Sequence, residues 1–157
     1  MSRTIEMLGS QTLGHLHDAI YNAFDRGDEH MYEFQVGGKK PMDRKAARYT
    51  LKDAMEGSFG DDEAGNADRT AIGSLGLKTR QSFFYWFDFG DDWWHRISVV
   101  SIGQKAPGVK YPRVTQVVGK SPPQYPGEEE DDDEDDEDDE VEVEEEDKEG
   151  SDDEGSK

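Results

Sequence analysis

Apolar positions along this chain change period several times. From Thr12 to Phe24, the residues Leu13, Leu16, Ile20, Ala23 and Phe24 recur at the spacing of a helix with one buried face. Ser10 or Thr12 can cap its start, because a side-chain oxygen accepts an orphan backbone N–H there. Gly27 is placed to end it, since glycine enters the left-handed conformation without a Cβ penalty. Arg3 to Leu8 reads as a short strand. From His30 to Val36 the period becomes two, with Tyr32, Phe34 and Val36 on one side and Met31, Glu33 and Gln35 on the other. That is a half-buried strand, stopped by Gly37 and Gly38.

Residues Asp43 to Glu56 carry a weaker helical stripe (Ala47, Leu51, Ala54, Met55) closed by Gly57. Ser58 to Arg69 is polar and rich in turn formers, which predicts a loop. Ser82 to Phe89 (SFFYWFDF) is the strongest strand signal, and apolar residues at both parities predict a central strand covered on both faces. Gly90, Asp91 and Asp92 supply a turn, after which Trp94 to Ile102 returns as a second strand. Val109 to Val118 is expected to add an edge strand, because Pro112 lacks a ladder N–H. Ser121 to Gly127 reads as an extended exit. The pattern predicts an α+β fold: a mainly antiparallel sheet with one or two helices packed on a face.

Composition changes the picture at one place. Residues Glu128 to Lys157 hold 22 acidic residues and two lysines, which accounts for the whole net charge of −20. Residues 1–127 keep 16 acids and 16 bases and are neutral, and all 16 aromatic residues lie there. The expected organisation is one globular domain, 1–127, and a disordered polyacidic tail, 128–157. Like charges without aromatics repel and bury nothing to offset a backbone entropy of about 1–2 kcal/mol per residue.

There is no cysteine, which excludes disulfides and thiolate chemistry. The start lacks an apolar signal segment, and no apolar run approaches the ~18 residues of a membrane span. A soluble, cytoplasmic protein is the expectation, with no membrane partner.

Three stretches carry a resemblance. Thr12 and Leu13 with Leu16 and His17 lie in the helix, and His30 to Phe34 (HMYEF) opens the following strand. Tyr85 to Ile97 (YWFDFGDDWWHRI) is the most specific, through Tyr85, Asp88, Phe89, Gly90, Asp91, Trp93 and His95. Together they resemble the plasmid pRiA4b ORF-3-like family, whose members are also described as passengers of insertion elements. The resemblance implies an α+β domain associated with mobile elements and no particular reaction. Two departures stand out. The family usually has a strand ahead of its arginine, whereas Arg3 stands near the start here. Its C-terminal part often carries cysteines and a Pro-Pro-Glu-Asp-Cys-Gly run, where this chain has Val114 and Pro122 to Gly127.

Candidate chemistry divides into four groups. Asp88-Phe89-Gly90 and Arg26-Gly27-Asp28 match kinase and adhesion tripeptides, but the chain has none of the accompanying kinase motifs, and a helix-end turn explains Gly27. His17, His30, Asp88, Asp91, Asp92 and His95 pair imidazoles with carboxylates that can hold a divalent metal and activate water. The metal candidates narrow to His30, Asp88, Asp91 and His95. The competing reading is structural, with the aspartates bonding turn amides and the histidines satisfying a buried polar site. Trp86, Trp93 and Trp94 are either core or a stacking platform for bases.

Lys39, Lys40, Arg44, Lys45, Arg48 and Lys52 form a basic cluster; a helix over 43–56 would put Arg44, Arg48 and Lys52 on one face. They are either a solvated surface or a site for phosphates. The tail either binds basic proteins as a polyanion or maintains solubility, and it makes direct nucleic-acid binding by the full-length protein unfavourable. The sequence favours a non-enzymatic interaction module whose tail binds basic protein partners. The alternative is a metal-dependent hydrolase or phosphoryl-transfer enzyme using the His/Asp cluster.

Overall fold

A computed structural model of the chain describes residues 1–51 and 64–125. Seven strands and one α-helix follow in the order β1 (Ser2–Glu6), α1 (Leu13–Ala23), β2 (Tyr32–Val36), β3 (Ala47–Thr50), β4 (Gly65–Asn66), β5 (Ser82–Phe87), β6 (Trp93–Ser98) and β7 (Arg113–Val118). Short 3₁₀ turns at Ala67–Arg69 and Ile72–Leu75 join β4 to β5. The fold is α+β, as the pattern implies. These elements form one unit, Met1–Ser121, and a second unit begins at Pro122. The expected boundary at Gly127 and the acidic tail lie outside the described residues.

The main sheet has five strands in the order β4-β3-β2-β5-β6, antiparallel except for β3 against β4. β1 and β7 form a separate antiparallel pair. Its register shifts between Thr4, opposite Gln116, and Ile5, opposite Val114, so Thr115 bulges from β7. The expected edge strand therefore pairs with the start of the chain rather than with the main sheet.

Helix α1 starts where a cap is available. Thr12 Oγ1 accepts the His15 N–H at 3.2 Å, and the Thr12 N–H donates to His15 Nδ1 at 2.9 Å, a reciprocal capping box. Its buried residues are Leu13, Gly14, Leu16, His17 and Ile20. The end differs from expectation. Asp25, not Gly27, takes the left-handed conformation (φ 54°). The Asp25 N–H bonds Asn22 O and the Arg26 N–H bonds Tyr21 O, which completes a Schellman motif two residues before the glycine.

The apolar face of α1 packs on one face of the main sheet. Leu13, Leu16 and Ile20 meet Tyr32, Phe34 and Val36 of β2 and Phe83, Tyr85 and Phe87 of β5. Burial of the two central strands reverses the expectation. β2 is buried at all five positions, including Glu33 and Gln35, because it is flanked on both sides by strands. β5 alternates, with Phe83, Tyr85 and Phe87 buried and Phe84 and Trp86 half-buried. Its two apolar parities serve two different faces.

The helix expected over 43–56 is not formed in its described part. Asp43 instead organises a loop, accepting the backbone N–H groups of Lys39 (2.9 Å) and Lys45 (3.0 Å). Those two bonds hold its carboxyl below the usual carboxylate range. β3 follows at Ala47–Thr50 and pairs with β2 from Glu33↔Thr50 to Val36↔Ala47. A strand neighbour outweighs the helical spacing of Ala47 and Leu51 there. Residues 52–56 lie outside the described residues, as does the 58–63 part of the expected loop. The 94–102 strand begins one residue early, at Trp93, and ends at Ser98; Val100 and Ile102 beyond it are exposed.

Candidate functional site

The helix-side face of the sheet gathers most of the resemblance motif. His17, on the buried side of α1, has Nδ1 2.6 Å from the Tyr85 hydroxyl, and its ring stacks on Tyr32 at 3.9 Å between centroids. Its Nε2 lies 3.4 Å from the exposed Glu29 carboxylate. Burial lowers the His17 pKa, with Glu29 opposing, while burial raises those of Tyr85 and Tyr32. At neutral pH the imidazole is therefore uncharged and the phenols are protonated. The Tyr85 O–H donates to Nδ1, and the other ring nitrogen carries its hydrogen toward Glu29. Both ring nitrogens of His17 and the Tyr85 hydroxyl are thus engaged in structural contacts.

The turn after β5 occupies Asp88. Its φ of 62° is left-handed, and Oδ1 accepts the N–H groups of Gly90 (3.1 Å) and Asp91 (3.3 Å). The Asp88 N–H donates to Met31 O, and its Oδ2 lies 3.4 Å from His30 Nε2. His30 and Asp88 are thus brought together. Asp91 is exposed in the turn. Asp92 accepts the Trp86 indole N–H at 2.8 Å. His95 sits on β6 between the rings of Tyr85 (5.0 Å) and Phe24 (5.4 Å). Burial, then the nearby Arg26 guanidinium, bring its pKa down to about 4, against the carbonyls of Tyr85 and Trp93. The expected four-residue metal set is not assembled: among the described residues, no three His, Asp or Glu side chains gather where they could hold an ion.

A residue that the sequence offered only within a discounted tripeptide, Arg26, completes this face. Arg26 is 8% exposed, and its guanidinium carbon lies 4.2 Å from the Trp93 ring centroid, with Phe87 at 5.8 Å and Phe24 at 6.0 Å. The cation is held by ring faces rather than by a carboxylate. Arg26 Nη1, Trp93 Nε1 and His95 Nδ1 are buried without a hydrogen-bond partner. The one signal for Arg26 was its place directly after a helix end, and its nearest ring, Trp93, is nearly seventy residues away in sequence.

The opposite face of the sheet is mixed. The registers align Arg48, Gln35, Phe84 and Arg96 across four strands, and Thr50, Glu33, Trp86 and Trp94 in the next row. Arg48 Nη2 donates to buried Glu33 Oε2 at 2.8 Å, and the Gln35 amide donates to Glu33 Oε1 at 2.7 Å. Trp86 stacks on Trp94 at 5.1 Å and 4° between planes, and Phe89 covers Trp86 at 4.1 Å. The three tryptophans accordingly divide: Trp93 packs against the core, and the other two form a half-buried outer pair. Of the basic cluster, Lys39, Lys40, Arg44 and Lys45 lie in the β2–β3 loop and Arg48 on β3, so they share no helix face. Lys52 lies outside the described residues.

With that geometry, a family model for plasmid pRiA4b ORF-3-like proteins matches residues 1–140. The chain belongs to this family. The crystal structure of a protein of unknown function from Methanosarcina mazei Go1 shares the fold, with a TM-score of 0.62 and 22% sequence identity. The alignment covers 78% of this chain and 63% of that protein, so the chain spans less than two thirds of its length. No curated protein matches the sequence. No helix among the described residues is long and apolar enough to cross a membrane.

Proposed function

We propose that this pRiA4b ORF-3-like protein is a non-enzymatic interaction module whose polyanionic tail binds basic protein surfaces. The observation that carries the reading is charge segregation: 22 carboxylates fall within residues 128–157, attached to a domain of zero net charge. Solubility needs a net charge of only about 2–8 in a small domain, and this run far exceeds it. Such a chain attracts cationic surfaces over a Debye length of about 8 Å at physiological salt. The domain's own polar groups support the reading. His17, Tyr85, Asp88 and Glu33 are engaged in packing, turn and ladder contacts.

The test is a binding titration of the full-length chain and of a chain ending at Gly127 against poly-L-lysine and lysozyme. Full-length protein binds both, with affinity falling steeply as salt rises, and the shortened chain binds neither. Equal binding by the two chains, or none by either at low salt, removes the tail as the interacting element.

A further inference from the structure

The outer face of the sheet carries an open cleft of about 480 Å³, lined by Gly37, Gly38, Lys39, Gln81, Ser82, Phe84 and Arg96. No acidic side chain lines it. Lys39 comes from the β2–β3 loop and Arg96 from the edge strand β6, so two cations reach one cleft from separate elements. Neither has a carboxylate partner among the described residues. In a domain with equal numbers of acids and bases, that pairing of uncompensated charge is a local excess.

The cleft is also ordered. Arg96 Nε donates to Ser82 Oγ at 3.3 Å, and that hydroxyl lies 3.1 Å from Ser98 Oγ. The contact uses Nε and leaves the terminal fork of the guanidinium for a ligand. Lys39 is placed by its own backbone N–H, which donates to Asp43. Gly37 takes a φ of 98°, a conformation that a residue with a Cβ rarely adopts. The cleft also holds Phe84, half-buried and directly opposite Arg96 in the β5–β6 register.

We infer that this cleft binds a nucleotide unit, with its phosphate between Lys39 and Arg96 and its base on the aromatic side chain of Phe84. Each part follows from chemistry. A guanidinium fork and an ammonium are the two side chains that match phosphate oxygens. An aromatic side chain beside them offers base stacking, which is tolerant of base identity. The volume is in the range of small-molecule sites, about 300–1,000 Å³. The unit is either a free nucleotide or one residue of an unstructured single strand. In the second case the next aromatic row, the stacked Trp86–Trp94 pair, lies two residues along the strands, about 7 Å away. The tail opposes long polyanions far more than a mononucleotide. Binding of the single nucleotide unit does not depend on the tail's role.

The experiment titrates full-length protein at physiological salt with AMP, adenosine and inorganic phosphate, following backbone amide shifts. AMP moves the amides of Gly37, Gly38, Lys39, Ser82, Phe84 and Arg96, and binds about tenfold more tightly than adenosine or phosphate alone. Arg96→Gln and Lys39→Gln, both at exposed positions, each weaken AMP about five- to tenfold, as loss of one charge-assisted contact does. Oligoadenylate separates the two sources. Tighter binding than AMP that is lost in Trp94→Ala identifies a single strand, and equal affinity identifies a free nucleotide. The inference is overturned if AMP shifts no cleft amide at millimolar concentration. It is equally overturned if AMP and adenosine bind alike, or if both charge variants bind as well as the parent.

Discussion

The two faces of the five-stranded sheet are built from alternate residues of the same strands, yet they obey different rules. On the helix side, Phe34, Phe83, Tyr85 and Phe87 are almost fully buried under α1, and even His17 is neutral and stacked on Tyr32. On the outer side, burial is partial and polar groups are matched to one another: Arg48 with Glu33, Gln35 with Glu33, Trp86 with Asp92. The Tyr85-to-Ile97 motif therefore contains two messages in alternation. Tyr85, Phe87, Trp93 and His95 hold the domain together, whereas Trp86, Trp94 and Arg96 face a surface open to ligands. Family identity is consequently weak evidence for what the outer face binds, since an inner face alone can sustain most of the motif.

The most severe way to break this contrast is within one strand. Phe87→Ala, on the helix side of β5, is expected to cost about 3–5 kcal/mol, as large-to-small core truncations do. Phe84→Ala, three residues away on the outer side, is expected to cost about 1 kcal/mol. Chemical denaturation of both variants measures the difference. Equal losses would mean that the two faces are packed alike.

The next effect tests whether histidines on the helix side are truly kept neutral. His95 has a folded pKa of about 4 against an ordinary 6.5, so the unfolded chain binds the extra proton first. Its contribution is intact above pH 6.5 and declines as the pH falls toward 4, by up to about 3 kcal/mol. His17 is shifted in the same direction and steepens the fall. Unfolding free energies measured from pH 7.5 to 4 should show this slope, and His95→Gln should flatten part of it. An unchanged slope in that variant would place the imidazole in water.

A smaller effect sharpens the outer face. Glu33 is buried while its partner Arg48 is 40% exposed, so removing the arginine leaves a buried carboxylate with the Gln35 hydrogen bond but without this cation. Arg48→Ala is expected to cost about 2 kcal/mol. Adding Glu33→Gln should recover part of the loss, because the neutral amide keeps hydrogen-bonding capacity without a buried charge. A double-mutant cycle from thermal or urea unfolding checks this, and strict additivity would show that the pair is uncoupled.

How much of this was legible follows a physical line. The capped start of α1 and the β5–β6 hairpin depend on neighbours close in sequence, and both were readable, the first from Ser10 or Thr12 and the second from the Gly90-Asp91-Asp92 turn. Burial of Glu33 and Gln35 depends on β2 lying at the centre of the sheet, a fact about strand order that alternation in HMYEFQV does not contain. The helical stripe around Ala47 and Leu51 lost to pairing with β2 for the same reason. Asp25 replaced Gly27 as the left-handed residue because an aspartate tolerates that conformation and the helix stopped earlier. At the candidate site, the aspartate–turn reading was available from spacing, while Arg26 among Phe24, Phe87 and Trp93 was not. Only folding brings residue 26 to residue 93.

The bulge at Thr115 has a consequence for what this protein does in a crowded solution. β7 presents Val114, Val117 and Val118 to solvent, and β1 is its one strand neighbour among the described residues. A straight six-residue edge of that composition is a template for a second chain to zip onto. The extra residue throws its N–H and C=O groups out of step and increases the local twist, so a flat partner finds no continuous ladder. A second strand laid along β7 would meet that break at Thr115, a property that a screen for folded-state stability does not read.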